Sequence, residues 1–207
     1  VTRTGSHALP HGAIETRCSG QLAEMPAVTM SVIVRQRVGS SFVRFRYELS
    51  SESPCRVSAG AGGNAEYLRI AIPPAARLMA VRLSEFEESV HSYHLTEQAI
   101  RPEAFTCGLD EMGPILAVES GGRTALVAYE HGSDASNPFL TFRFGECTGV
   151  RFAQLQAVKG NVPSGTDISK MPLQTVWFQV GVVEGGLDAC AAAYRGFVLS
   201  DMSQNVV

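Results

Sequence analysis

The stretch from Gln174 to Asn205 constrains this chain most, because its hydrophobic period changes once, within a few residues. TVWFQVGVVEGG alternates, with Val176, Phe178, Val180 and Val182 on one face. Past Gly185-Gly186, Leu187, Cys190, Ala191, Tyr194 and Val198 recur at helical spacing. A change of period from 2 to about 3.6 residues predicts a strand and then a helix. Almost everything upstream reads as strand and turn. The expected fold is therefore all-β, a large antiparallel β-sandwich with one C-terminal helix over residues 186–201. The helix ends on Ser-Gln-Asn rather than a glycine cap. It is expected to lead on to a further element, and residues 200–207 should fray if the domain stands alone.

Upstream, residues 1–25 are rich in Gly, Ser, Thr and His without a sustained period. They read as an irregular opening segment with an edge strand near Ala13–Arg17. Val28, Met30, Val32 and Val34 then alternate with polar neighbours, interrupted by Ile33. After Gly39-Ser40, Val43, Phe45, Tyr47 and Leu49 alternate with Arg44, Arg46 and Glu48, which predicts a hairpin of half-buried strands. Leu78–Phe86 and Val90–Thr96 are further strand candidates, whereas Leu95–Ala104 fits a strand or a short helical turn. Ser120-Gly121-Gly122 between two apolar runs is a hairpin signature, because glycine accepts positive φ. About ten short strands without an internal linker or repeat make one domain over 1–207 the simplest organisation.

Several function classes are excluded by composition. A net charge of −3 and a pI near 6 leave no basic surface for nucleic acid. Only Arg35–Arg46 is locally basic, and its alternation reads as the solvated face of a strand. No apolar run reaches the ~18 residues of a membrane helix. No secretion signal stands at the N-terminus, and the chain begins with Val. A soluble protein is expected, of undetermined compartment, processed or cut from a longer polypeptide. Five cysteines without a C-x-x-C pair are poor zinc ligands and read as buried free thiols, Cys190 most clearly.

Candidates for chemistry are sparse. His91-Ser-Tyr-His94 is the most site-like run, but in a strand the two histidines face opposite ways and do not converge on a metal. Tyr129-Glu130-His131 closes a well-defined strand, where binding residues emerge onto loops. Glu130 is a candidate acceptor and His131 a candidate donor or platform for a sugar. Trp177, the single tryptophan, opposes Phe178 and is a candidate sugar platform or a buried packing residue. There is no nucleophile elbow, phosphate loop or dinucleotide motif, so no cofactor, metal or catalytic residue is expected in this chain.

Three stretches together, ILAVESGGRTALVAYEHGSD, FAQLQAVKGNVPSG and TVWFQVGVVEGGLDACAAAYRGFVLSDMSQN, resemble a known family. They are similar to the N-terminal β-supersandwich domain of α-galactosidase-like glycoside hydrolases, the family 36 or melibiase group. The resemblance covers the second half of the chain, from Pro114 to Asn205. It implies a following (β/α)8 barrel that carries both catalytic aspartates and hydrolyses α-galactosides with retention, so Asp134, Asp167, Asp188 and Asp201 inherit no catalytic role. It further implies loops that pack on the barrel, wall the sugar pocket or make oligomer contacts. His91, His94, Glu130, His131 and Trp177 are the candidates for that face. A stand-alone carbohydrate-binding, lectin-like sandwich and an assembly protein remain the alternatives.

Overall fold

The structure, a computed structural model, describes residues 2–57, 65–87, 92–130, 140–157 and 165–202. The first two strands are β1 (Thr2–Ala8) and β2 (Ala13–Leu22). Next come β3 (Met25–Arg37), β4 (Phe42–Ser51) and the two-residue β5 (Arg56–Val57). β6 (Glu66–Ile72), β7 (Arg77–Glu87) and β8 (Ser92–Ile100) precede a short helix, α1 (Glu103–Cys107). β9 (Asp110–Met112), β10 (Ile115–Ser120), β11 (Arg123–Tyr129), β12 (Leu140–Cys147) and β13 (Val150–Ala157) follow. The last strands are β14 (Thr166–Asp167), β15 (Leu173–Gln174) and β16 (Phe178–Glu184), before helix α2 (Leu187–Phe197).

Among the described residues these strands form a ten-stranded sheet, ordered β1-β2-β3-β4-β16-β11-β10-β7-β8 with β15 beside β4. A four-stranded sheet, β6-β13-β12-β9, packs on it face to face, and β5 pairs with β14 separately. The core lies between the two large layers. Phe45, Val127, Tyr129 and Phe178 from one sheet meet Phe142, Phe144 and Leu155 from the other. Phe178 is fully buried, within 5.4 Å ring-to-ring of both Phe45 and Tyr67. The all-β sandwich with a C-terminal helix is the observed architecture.

Period-2 alternation explains why these segments settle as they do. Val32, Val34, Phe45, Tyr47, Phe178 and Val180 face the core, which turns Arg35, Arg44, Arg46 and Gln179 to the outer face. The β10–β11 hairpin pairs Ser120 with Arg123 across Gly121 and Gly122, at φ 60° and 77°. That is the two-residue turn that glycine permits and β-branched residues resist. Residue Gly185, at φ 104°, receives hydrogen bonds at its carbonyl from Thr124 Oγ1 and donates its N–H to the Gly122 carbonyl. The turn from β16 into α2 is thereby tied to the hairpin beside it.

Helix α2 lies on the outer face of the ten-stranded sheet. Cys190, Ala193, Tyr194 and Phe197 pack there against Phe42, Leu126 and Ala128. This differs from the stripe read in the sequence, since Ala191 is exposed and Ala193 and Phe197 take its place. A single π turn, Val198–Met202, extends the helix. Gly181 on β16 lies so close under Phe42 that a Cβ there would stand 2.2 Å from the ring.

The opening segment is a correction. Residues 1–25, read as irregular with one edge strand, contain β1 and β2, paired antiparallel from Thr2↔Ser19 to Ala8↔Ile14. These strands form the edge of the large sheet, and their described residues are exposed or half-buried. With little burial on either face, no alternation of apolar residues is required. The 95–104 ambiguity resolves as both forms in turn: β8 runs to Ile100, and α1 begins three residues later. All five cysteines are free, with Cys190 buried as expected, but Cys107 and Cys147 are exposed. No helix among the described residues is long and apolar enough to cross a membrane.

Candidate functional site

A β-bulge organises the outer face. Gln174 pairs with Glu48 and Phe178 with Phe45, so four steps on one side match three on the other. The extra residue falls opposite Arg46. Bulges re-aim side chains, and here Val176 enters the core while Trp177 turns to the outer face. The Trp177 carbonyl accepts the Glu130 N–H at 2.9 Å, which ties the bulge to the end of β11.

Three guanidinium groups surround the Trp177 ring. Those of Arg35, Arg44 and Arg46 lie 4.4, 4.5 and 4.7 Å from its centroid. Such distances fall within the range of cation–π attraction. Only 8% of Trp177 remains exposed. Around the ring, carboxylates neutralise most of the arginines. Arg44 Nε and Nη2 donate to the two Glu130 oxygens at 2.5 and 2.8 Å, a bidentate pair with both side chains over four-fifths buried. Arg35 Nε donates to Glu15 at 2.7 Å and Arg17 Nη1 to Glu48 at 2.6 Å. Burial alone pushes the Glu48 carboxyl up, but hydrogen bonds from Arg17 and Gln174 outweigh it and hold the group below its ordinary value.

The layer continues into the helix. Gln179, fully buried, donates from Nε2 to Glu130 Oε1 at 3.0 Å, and the Tyr194 hydroxyl reaches Gln179 Oε1 at 3.4 Å. Burial first, then the charge of Glu130, push the Tyr194 phenol up to about 12. Arg37 Nη2 donates to Ser200 Oγ at 2.7 Å and pairs with Asp201 at 3.1 Å, fastening the π turn to β3. Beside this contact lies a pocket of about 340 Å³, walled by Arg35 and Arg44, by Ser200 and Asp201, and by Phe197 and Met202.

Of the residues singled out in the sequence, Glu130 and Trp177 come together here, joined through Arg44. Glu130 accepts hydrogen bonds, but from Arg44 and Gln179 of its own fold. Trp177 is buried, against arginines rather than against the second sheet. His94 is exposed on β8, the far edge strand of the same sheet, three strands from β11. His91 and His131 lie outside the described residues. Among the described residues no group of three or more His, Cys, Asp or Glu side chains is placed to hold a metal. The locally basic Arg35–Arg46 segment is half-buried rather than a freely solvated strand face, with Arg44 16% exposed. The R-x-R spacing was visible in the sequence. Its acidic partners, up to 164 residues away at Asp201, were not.

Among the described residues of the layer, Glu15, Glu48, Glu130 and Asp201 each pair with an arginine, and Asp201 also accepts from Ser200 Oγ at 2.6 Å. Such closed pairs fix the elements that carry them and present a polar face.

No protein-family model matches the sequence, and no curated protein matches it. Solved structures match its fold. An α-galactosidase from Lactobacillus brevis aligns over 97% of this chain and 27% of its own, at TM-score 0.62 and 9% identity. The family 36 α-galactosidase AgaB of Geobacillus stearothermophilus aligns over 93% of this chain and 27% of its own, at TM-score 0.56 and 8% identity. The α-N-acetylgalactosaminidase NagBb of Bifidobacterium bifidum aligns over 96% of this chain and 30% of its own, at TM-score 0.52 and 10% identity. The chain thus spans less than a third of the length of the structures it matches. Its fold is that of a β-sandwich domain within α-galactosidases of family 36, as the three sequence stretches implied.

Proposed function

We propose that this chain is the non-catalytic N-terminal β-sandwich domain of an α-galactosidase-like glycoside hydrolase. It is one domain over residues 1–207 and supports a (β/α)8 barrel that hydrolyses α-galactosides with retention. The observation that carries this reading is the pattern of coverage: structural likeness over 93–97% of this chain against 27–30% of the matched enzymes. The uncovered share of those enzymes leaves more than enough length for a catalytic barrel, and an outer face of mostly closed ion pairs fits a supporting role.

The stand-alone carbohydrate-binding alternative draws less support. Its sugar platform was to be Trp177, whose ring is enclosed by three guanidinium groups. Assay of the purified chain with a nitrophenyl α-galactoside is the test. The proposal expects no turnover from the chain alone and turnover from a polypeptide in which a barrel follows it. Hydrolysis by the pure 207-residue chain would overturn it.

A further inference from the structure

Among the described residues, one arginine on the outer face of the large sheet lacks a counter-ion. The strands β2 to β4, Glu130 and the end of α2 bring together Arg17, Arg35, Arg37, Arg44 and Arg46. Each of the first four has its own carboxylate, from Glu48, Glu15, Asp201 and Glu130 respectively. Among the described residues Arg46 has none, and its Nε is buried without a hydrogen-bond acceptor. Burial above all holds its pKa below the ordinary value; Glu48 and Glu15 favour the cation, and Arg35 and Arg17 oppose it.

The outer face of the small sheet shows no such remainder among its paired groups. Arg69 meets Glu66 and Gln154, and Arg143 meets Asp110. Both arginines are nearly half exposed, so water as well as carboxylate serves them.

We propose that Arg46, stacked on Trp177, receives an aspartate or glutamate side chain of the catalytic domain, which makes the outer face of the ten-stranded sheet the docking face. This rests on reading the chain as the sandwich domain of such an enzyme. A guanidinium held against an aromatic ring is oriented in advance, and its fork matches a carboxylate better than a lysine would. With Nε enclosed, its two terminal amino groups remain for the partner. Arg46 sits amid the strand array and outside the pocket at the end of α2, on a face suited to another protein surface rather than to a small enclosed ligand. Helix α2 lies on this same face, and its π turn ends there at Met202.

The test compares Arg46→Met, Arg46→Lys and the control Arg69→Met in two settings, the 207-residue chain and the full polypeptide carrying its catalytic domain. Arginine labelling with phenylglyoxal is read by mass spectrometry, with thermal unfolding and α-galactoside hydrolysis measured alongside. Arg46 should be labelled about tenfold more slowly in the full polypeptide than in the chain alone, with Arg69 equal in both. Arg46→Met should lower the melting temperature of the full polypeptide by several degrees, with Arg46→Lys intermediate, and leave the chain alone within about 2 °C. Equal labelling of Arg46 in both settings, or equal destabilisation of both by Arg46→Met, overturns the docking role. So does slowing of Arg46 labelling in the chain alone by galacturonate, which assigns the group to a small acidic ligand. Turnover by the full polypeptide with any of these results removes the docking inference only. A full polypeptide without turnover removes the enzyme reading and the inference with it.

Discussion

The two outer faces of the sandwich carry similar residues and treat them differently. On the small sheet, Arg69–Glu66 and Arg143–Asp110 leave both partners between 37% and 48% exposed. On the large sheet, Arg44–Glu130 leaves 16% and 18%, and Glu48 and Asp201 show 9% and 10%. The first arrangement is a solvated surface whose pairs contribute little, because water competes for each charge. The second is a packed polar layer in which the paired groups depend on each other, because removing one partner strands the other. Identical chemistry acquires a structural role only when something covers it. Here that cover is Trp177 on its bulge and helix α2.

The largest expected break in this contrast is Trp177→Ala. It removes a buried ring from among three cations and should cost about 3–5 kcal/mol of unfolding free energy in urea titration. Phe152→Ala, which removes a ring under a single guanidinium on the small sheet, should cost clearly less. If the two substitutions cost the same, the layer around Trp177 is no different from an ordinary surface.

Glu130→Ala comes next, at about 3 kcal/mol, because it strands both Arg44 and the buried amide of Gln179. Asp110→Ala, facing exposed Arg143, should stay within about 0.5 kcal/mol. Gly181→Ala sharpens the comparison from the packing side. Its Cβ must displace the Phe42 ring that seats α2, for a cost of about 1–3 kcal/mol.

A smaller effect appears in alkali. Tyr194 on the outer layer and Tyr129 in the core both titrate near 12, raised chiefly by burial. The unfolded chain releases these protons near the ordinary value of about 10, whereas the native chain keeps them. Their contribution is therefore complete below about pH 10 and is lost as pH rises towards 12. Stability should fall by about 1 kcal/mol per group between about pH 9 and pH 11. Replacing Tyr194 with Phe should remove roughly half of that decline in denaturant titrations at the two pH values. An unchanged slope would mean that Tyr194 is solvated, and that α2 does not cover the layer.

Local rules made the fold legible. Alternation in Val43–Leu49 placed the core face of β4, Ser120-Gly121-Gly122 placed a hairpin, and Gly185-Gly186 placed the start of α2. The β1–β2 pair escaped because edge strands with little burial need no apolar alternation. The site was legible only in fragments. Glu130 and Trp177 stood out as single residues, but the bulge that unites them arises from a one-residue mismatch between β15–β16 and β4. The partner of Arg44 lies 86 residues away, a distance across which one sequence carries no pairing signal. Reading Arg44 and Arg46 as solvated failed for the same reason, since what covers them comes from the far end of the chain.

The supporting role is tested most directly by expressing the 207-residue chain and the full reading frame that contains it, and assaying both with a nitrophenyl α-galactoside. The account predicts hydrolysis by the full polypeptide and none by the chain. Turnover by the chain alone, or by neither protein, would contradict it.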